Sequence, residues 1–413
     1  MSLKVKVAAN TIVQIIGKGI TAFSTALITI LLARSYGVEG FGEYTKMFSY
    51  VALFYLAVDF GLNAVVLQKN QDSSSPTLFA NLLGFRLTLS MVWIFVALAI
   101  LAFLPFNPLT NSGFTPLSKI GIILLLPTVI TQSIFTTANA YFQSTLRYDR
   151  SVIASSIGSI GTVVLVYLFI HIHAPMLLTL VSYLIGSFIM AFSSLYLAGI
   201  KLFINRWSVA LWWELFVYTL PLGATLLFNL VYFRVDTLIL TAYRSTAEVG
   251  IYGLAYRFFE FPLTFPTFFM NALYPILLSK KNEGGPPLRI TAKRALWILL
   301  LSSTIIVLGG FYFSPLITHI DPSFQSSIFP FRILLLSLPF FFISSLCMWL
   351  LITVKKNTLL AAIYGFALLI NVSLNLVFIP QYGYTAAAIT TGVSEAIVLL
   401  MTGYASIKAL RNL

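Results

Sequence analysis

The sequence predicts an all-α polytopic membrane protein, and three observations carry that expectation. Of 413 residues, 59% are hydrophobic and only 9% are charged, against about a quarter charged in ordinary soluble domains. The apolar residues run in blocks of about 20, the length a helix needs to cross a hydrocarbon core about 30 Å thick. These blocks are continuously apolar rather than alternating in short pieces, which favours helices over a barrel. A soluble globular domain is thereby excluded.

Blocks bounded by charge, Pro or Gly give twelve expected transmembrane helices. In the first half they cover approximately residues 10–34, 41–67, 78–104, 118–143, 151–171 and 175–199. In the second half they cover approximately 212–241, 249–279, 290–313, 326–353, 358–379 and 384–407. The first run, after Lys4 and Lys6, continues too far for a signal peptide and has no A-x-A-like site, so it reads as an uncleaved span. Pro127, Pro221, Pro262, Pro266 and Pro339 interrupt apolar runs and permit kinks. The one cysteine, Cys347, sits inside an apolar block; it excludes an internal disulfide and reads as packing.

The net charge of +13 would suit a nucleic-acid binder only if the basic residues clustered on one surface. They fall instead in alternate short loops. With the N-terminus inside, Lys4, Lys6, Lys69, Arg147, Arg150, Lys201, Arg206, Lys280, Lys281, Arg289, Lys293, Arg294, Lys355, Lys356, Lys408 and Arg411 lie on the cytoplasmic side. The other side keeps Arg34, Lys119 and Arg244, a ratio of sixteen to three. That asymmetry orients the chain with both termini cytoplasmic. The basic loops then face anionic lipid, and no nucleic acid is needed to explain them.

The two halves look related. Gly42-Glu43-Tyr44 is echoed by Gly250-Ile251-Tyr252, a shift of 208, and Gly199-Ile200-Lys201 by Ser406-Ile407-Lys408, a shift of 207. Two six-helix bundles the same way up imply a pseudo-two-fold axis along the membrane normal and a cleft between bundles. The expected organisation is residues 1–200, an interfacial linker at 201–211, and residues 212–413.

Five or more residues from either end of the spans lie six cations, Lys18, Lys46, Arg86, Arg234, Arg257 and Arg332, and four acids, Asp59, Asp236, Glu260 and Glu395, while Glu214 sits near a helix start within reach of water. Each central charge costs about 2.5–3.5 kcal/mol on insertion scales, so such residues face a bundle interior or a wet cavity. Two readings stand open for Lys18, Lys46 and Arg257: a place in the cavity, or snorkelling of the long side chain to a surface. Arg86 is shallower, with a lipid phosphate as its alternative partner. Arg257 and Glu260, at i and i+3, can neutralise one another on one helix face. Arg234 and Asp236 point to different sides, and each needs a partner from another helix, water or cargo. Asp59, Asp236, Glu260 and Glu395 are candidate ion-coupling or cavity acids, with a structural hydrogen-bonded acid as the alternative. His171 and His173, two apart at a helix end, make a poor metal pair. No phosphate-binding glycine loop, H-E-x-x-H or G-x-S-x-G occurs, so no metal, cofactor or enzymatic chemistry is expected.

A family resemblance rests on Asn10-Thr11, Gln14 and Gly17-Lys18; Leu32-Ala33-Arg34, Gly37, Gly40-Phe41-Gly42 and Tyr44; and Asp59-Phe60-Gly61-Leu62-Asn63. The second half adds Arg234-Val235-Asp236-Thr237-Leu238, Gly250-Ile251-Tyr252, Lys356-Asn357, Asn371, Leu374-Asn375 and Ile379-Pro380-Gln381-Tyr382-Gly383. In order and spacing the chain resembles the polysaccharide-exporter branch of the superfamily that also holds MATE drug exporters and lipid II flippases, specifically the Wzx-type O-antigen flippases. That resemblance implies a MATE-like fold in a bacterial inner membrane. It implies a cargo of undecaprenyl-diphosphate-linked repeat units turned to the periplasmic leaflet, with membrane lipids and other glycan-assembly membrane proteins as further candidate partners. It also implies a cationic cavity, to which Lys18, Arg234 and Arg257 correspond.

Two alternatives to a flippase differ from it in the residues they call for. A MATE-like exporter of small cations calls for an acid-dominated interior, whereas the spans hold six basic against four acidic residues at that depth. An O-antigen polymerase or ligase calls for outward catalytic groups, whereas the longest outer loops, around 105–117 and 314–325, carry only His319 and Asp321.

Overall fold

The computed structural model describes residues 3–63, 66, 76–199 and 207–411. Lys69, Lys201 and Arg206 lie outside the described residues, as does most of the expected linker. The chain is helical almost throughout: α1 (Leu3–Asp59), α2 (Pro76–Phe103), α3 (Pro116–Leu125), α4 (Thr128–Ser144), α5 (Tyr148–His171), α6 (Met176–Ala198) and α7 (Val209–Tyr243). There follow α8 (Thr246–Glu260), α9 (Thr264–Glu283), α10 (Gly285–Phe313), α11 (Ile328–Thr353) and α12 (Asn357–Arg411). Among the described residues, nine helical stretches are long and apolar enough to cross a membrane.

Helix boundaries depart from the expected ones where a single residue sets the backbone. No loop separates the first two expected spans; α1 continues through, bent at Gly37 (φ 62°, ψ −167°), a conformation that is cheap only without a Cβ. In α12, Gly383 (φ 59°, ψ −139°) does the same. Conversely, two expected single spans are broken. The stretch Pro116–Ser144 divides beside Pro127, and Thr246–Glu283 divides at Phe261–Leu263 around Pro262. Proline lacks the amide that would continue the ladder.

The longest expected loops are also ordered. Residues Phe106–Asn107 pair with Ser112–Gly113 as a short two-stranded ladder (β1 and β2). Thr115 then caps α3, accepting from the Ser118 amide at 3.0 Å. In the other loop two 3-10 turns, Ser314–His319 and Pro322–Ser327, flank Asp321. Hydrogen bonds from the Ser323 hydroxyl and amide hold the Asp321 carboxyl below the usual carboxylate range. The acid that the polymerase reading needed is thus a turn cap.

The chain forms two compact units. The first holds Met1–Tyr36, Glu43–Leu109 and Gly113–Leu230; the second holds Gly37–Gly42, Thr110–Ser112 and Val231–Leu413. Their boundary falls inside α7. Packing explains this: Leu215 is buried in the first unit's core with Leu62, Phe79 and Phe85. Trp212 stacks on Phe85 (6.0 Å) and Phe216 on Phe60 (5.9 Å).

Within the second unit the sequence echo has a structural counterpart. A Cβ on Gly42 would lie 2.0 Å from the Thr246 carbonyl oxygen, and one on Gly250 would lie 2.0 Å from that of Val38. The two glycines and the two carbonyl residues they meet each differ by 208 (250 − 42; 246 − 38). Backbone meets backbone, so neither side can yield by turning a rotamer. Gly42→Ala or Gly250→Ala is therefore expected to cost about 1–3 kcal/mol, as overpacking does. Thermal unfolding in detergent checks this, and an unchanged midpoint would mean that the backbones have room.

Candidate functional site

Three of the charged residues expected in the spans converge in the second unit. Arg234 comes from α7, while Arg257 and Glu260 lie in the last turn of α8. Glu260 Oε1 accepts from Arg234 Nη2 at 2.9 Å and its Oε2 from Arg257 Nη1 at 3.4 Å. One carboxylate thus spans two guanidiniums, leaving a net charge of one plus. None of the three is sealed in: their side chains are 21%, 25% and 26% exposed. Helical spacing brings Arg257 and Glu260 to one face. Arg234 had no such signal, because its partner lies on another helix.

Local sequence sets this position. Glu260 is the last residue of α8, and Pro262 follows. A carboxylate at a helix C-terminus meets the negative end of the helix dipole, so two adjacent cations offset a real cost. A helix interrupted inside an apolar stretch is tolerated at membrane depth where protein or a wet cavity receives its backbone.

The other acids of this unit are buried among hydroxyls. Asp236, 2% exposed, accepts from the Tyr252 hydroxyl, from the Thr237 amide at 2.6 Å and from Thr391 Oγ1 at 3.4 Å. Glu395 accepts from Tyr232 at 3.0 Å and from Ser344. A chain of amides and hydroxyls lies between the two turns of α12 that carry Thr391 and Glu395. Thr390 donates to Asn375 at 2.5 Å, Asn375 to Asn371 at 3.0 Å, and Asn371 to Ser394 at 3.1 Å. Thr390, Asn375 and Ser394 were invisible as a set, since their spacing in sequence follows no single helix. Arg332 is held by Ser314 (2.8 Å) and lies over the Phe311 ring. Among the described residues no cluster of three or more His, Cys, Asp or Glu is placed to hold a metal ion.

In the first unit two expected cavity cations are enclosed, which corrects the reading of both. Arg86 has no exposed side-chain surface; its Nη2 donates to Asp59 (2.6 Å) and Asn63 (2.9 Å) and its Nη1 to Thr137 (3.2 Å). Acceptors on neighbouring turns and on α4 take up its fork. Lys46 is likewise fully buried, donating to the Gly113 carbonyl at 2.9 Å and lying 3.6 Å from Glu43. Glu43 in turn accepts from Thr115 at 2.7 Å and from Ser118. Lys46 therefore fastens the hairpin and the cap of α3.

Lys18 is exposed. It belongs to a polar row, Gln14, Lys18, Thr21, Thr25 and Thr29, spaced by four, three, four and four along α1. Ile16, Ile20, Phe23 and Leu27, on the opposite face, line an apolar groove with Ile160 and Val163. The threonines were missed, although a 3.6-residue polar period inside an apolar helix would have marked them.

The family described as "polysaccharide biosynthesis protein" matches residues 7–280 of the 413. The chain belongs to that family. This polysaccharide biosynthesis protein also shares its fold with solved transporters. It is similar to a lipid II flippase, MurJ, in an inward closed conformation, with 16% identity and a TM-score of 0.75 over 98% of this chain and 89% of that one. An inward-facing multidrug resistance MATE family transporter of the MOP superfamily matches with 12% identity and a TM-score of 0.79, covering 95% of each chain. A MOP superfamily transporter from Pyrococcus furiosus, described as having a binding pocket of reverse polarity, matches with 13% identity and a TM-score of 0.67 over 98% and 95%. No curated protein sequence matches. The family and these neighbours are transporters and flippases, not enzymes, and the multi-pass helical architecture expected from the sequence is the one found.

Proposed function

We propose that this family member is a flippase for lipid-linked glycan. Its cargo would be the undecaprenyl-diphosphate-borne repeat unit of a surface polysaccharide, turned by alternating access from the cytoplasmic to the periplasmic leaflet of a bacterial inner membrane. Both termini would lie in the cytoplasm. The observation that carries this reading is the partly exposed pair of guanidiniums, Arg234 and Arg257, on one carboxylate, in a chain of the polysaccharide biosynthesis family.

The physics of the cargo fits such a site. A diphosphate and its sugars cannot enter hydrocarbon, whereas the polyprenyl tail is stable there. Arginine's planar fork is suited to phosphate oxygens. Lys18, exposed on the polar row of α1 in the first unit, is a separate candidate for contact with cargo. Asp236 and Glu395 are the acids in reserve for ion coupling, while Asp59 is engaged by Arg86.

The reading is tested by reconstituting the chain in vesicles that hold a fluorescent polyprenyl-diphosphate oligosaccharide and following its passage between leaflets. Passage faster than in protein-free vesicles is expected; equal rates would overturn the proposal. In the same vesicles the potential becomes a second prediction. With the cytoplasmic side negative, outward movement of two uncompensated negative charges gains about 4.6 kcal/mol per 100 mV, from about 2.3 per charge. Flipping is therefore expected to speed up when an inside-negative potential is imposed at constant pH and sodium. Identical rates with and without it would mean that the cargo's charge moves with compensating cations.

A further inference from the structure

Among the described residues, several charged contacts tie two elements together, and the one at Glu260 leaves all its members partly accessible. Arg86 and Lys46 have no exposed side-chain area of their own, although Asp59, the partner of Arg86, is 28% exposed. The contacts of Glu260 differ in that the cations themselves, Arg234 and Arg257, are about a quarter exposed. A cation with no exposed surface is a fastening, and an incoming anion cannot reach it without local rearrangement. An exposed pair can exchange one partner for another.

The chemistry of that exchange is specific. A carboxylate and a phosphate present the same kind of edge to guanidinium, two oxygens that accept parallel hydrogen bonds. Glu260 uses its two oxygens separately, one for each arginine, as a bridging phosphate would. Its backbone position favours movement, because α8 ends at this residue and the next helical residue is Thr264. The neighbouring Phe261 is 53% exposed, so the turn beyond is not packed shut.

We propose that Glu260 is a stand-in anion, which occupies the arginine pair in the empty carrier and is displaced by a phosphate of the cargo. This rests on the flippase reading above and assigns Glu260 a role in it. Charge counting at this pair favours the displacement. Two arginines match the two negative charges of a diphosphate diester; with Glu260 still in place, three negative charges would share two cations. Glu260 thereby weakens cargo binding, and its return helps to expel the cargo and restores a neutralised pair for the empty carrier. It is a positioning residue for Arg234 and Arg257 rather than a cargo ligand.

The consequence runs against the usual effect of altering a binding site: removing this charge should tighten binding. The test uses the full chain in lipid nanodiscs, titrated with geranylgeranyl-diphosphate-linked N-acetylglucosamine, a diester like the cargo, alongside the vesicle assay. For Glu260→Gln, which keeps the shape and removes the charge, about tenfold tighter binding is expected, equivalent to about 1.4 kcal/mol. In vesicles, the half-saturating cargo concentration should fall and the turnover at saturation should fall with it. Glu260→Asp, whose shorter arm cannot hold both guanidiniums, should shift binding in the same direction by less, and it serves if Glu260→Gln does not accumulate. Unchanged or weaker binding in these variants, with the unaltered chain binding the probe, would make Glu260 a scaffold and overturn the inference while leaving the flippase reading intact. If the unaltered chain does not bind the probe, and Arg234→Gln and Arg257→Gln behave like it, the arginine site itself fails and the inference with it.

Discussion

Replacing Asp59 with Ala is expected to destabilise the first unit by about 3–5 kcal/mol, the range for a buried ion pair that loses one partner. Arg86 would be left with no exposed side-chain surface and without its 2.6 Å carboxylate contact. Only Asn63 and Thr137 would remain as acceptors. Its Nε already lacks a hydrogen-bond partner, so the site has no spare acceptor to recruit. The damage should extend along the chain. Directly after Asp59 the backbone leaves the helix, with Phe60 at φ 43° and Gly61 at φ 73°. Phe60 is so close to Gly223 of α7 that a Cβ there would lie 2.6 Å from its ring. Arg86, by gripping both Asp59 and Asn63, holds this turn, and so holds Phe60 against α7. Asp59→Asn keeps an acceptor oxygen and should cost less. The double variant Asp59→Ala with Arg86→Met should recover most of the loss, since a buried pair replaced by apolar side chains of similar volume is often neutral. Thermal midpoints and membrane protein levels read all three; a stable Asp59→Ala would show that water reaches Arg86.

Arg234→Gln is expected to slow flipping by about 10–100-fold, the equivalent of about 1.5–3 kcal/mol for a hydrogen bond to a charged group. Arg257→Gln should act in the same direction. The two losses should not add, because both arginines address Glu260, and residues sharing one network couple. After Arg234→Gln the carboxylate keeps only the longer contact, 3.4 Å to Arg257, and the remaining cation is then neutralised by Glu260 rather than offered to cargo. Protein levels should stay near normal, since these side chains are partly exposed and their loss strands no sealed charge. Surface-glycan display in a strain depleted of its own carrier, together with the vesicle assay, measures the effect. Full activity at normal levels in Arg234→Gln and Arg257→Gln alike would remove both from the site.

Much of this protein was legible in its sequence. The apolar blocks predicted helices because the hydrocarbon core leaves backbone polar groups few other solutions. Family membership followed from short motifs in order, among them Asp59-Phe60-Gly61-Leu62-Asn63 and Gly250-Ile251-Tyr252. The exceptions were local. A loop was expected where Gly37 merely bends α1, and a continuous span where Pro262 ends α8 at Glu260. In both cases a single residue, through its backbone angle at Gly37 and its missing amide at Pro262, outweighed the hydropathy pattern.

The candidate site divided along a different line. That Arg257 and Glu260 share a face could be counted off in residues, but that Arg234 reaches the same carboxylate could not. Lys46 and Arg86 looked much like Arg234 in sequence, and they proved to be fastenings within the first unit.

By itself the sequence determined that the chain is a membrane-embedded helical protein with cations at depth, because composition and spacing alone fix what hydrocarbon will accept. Only the tertiary structure decided which of those cations are engaged internally and which are presented at a surface. The cost of a charge in the membrane is relieved equally by a carboxylate on a neighbouring helix or by an exposed polar face, and the distances between helices that distinguish the two are set by packing.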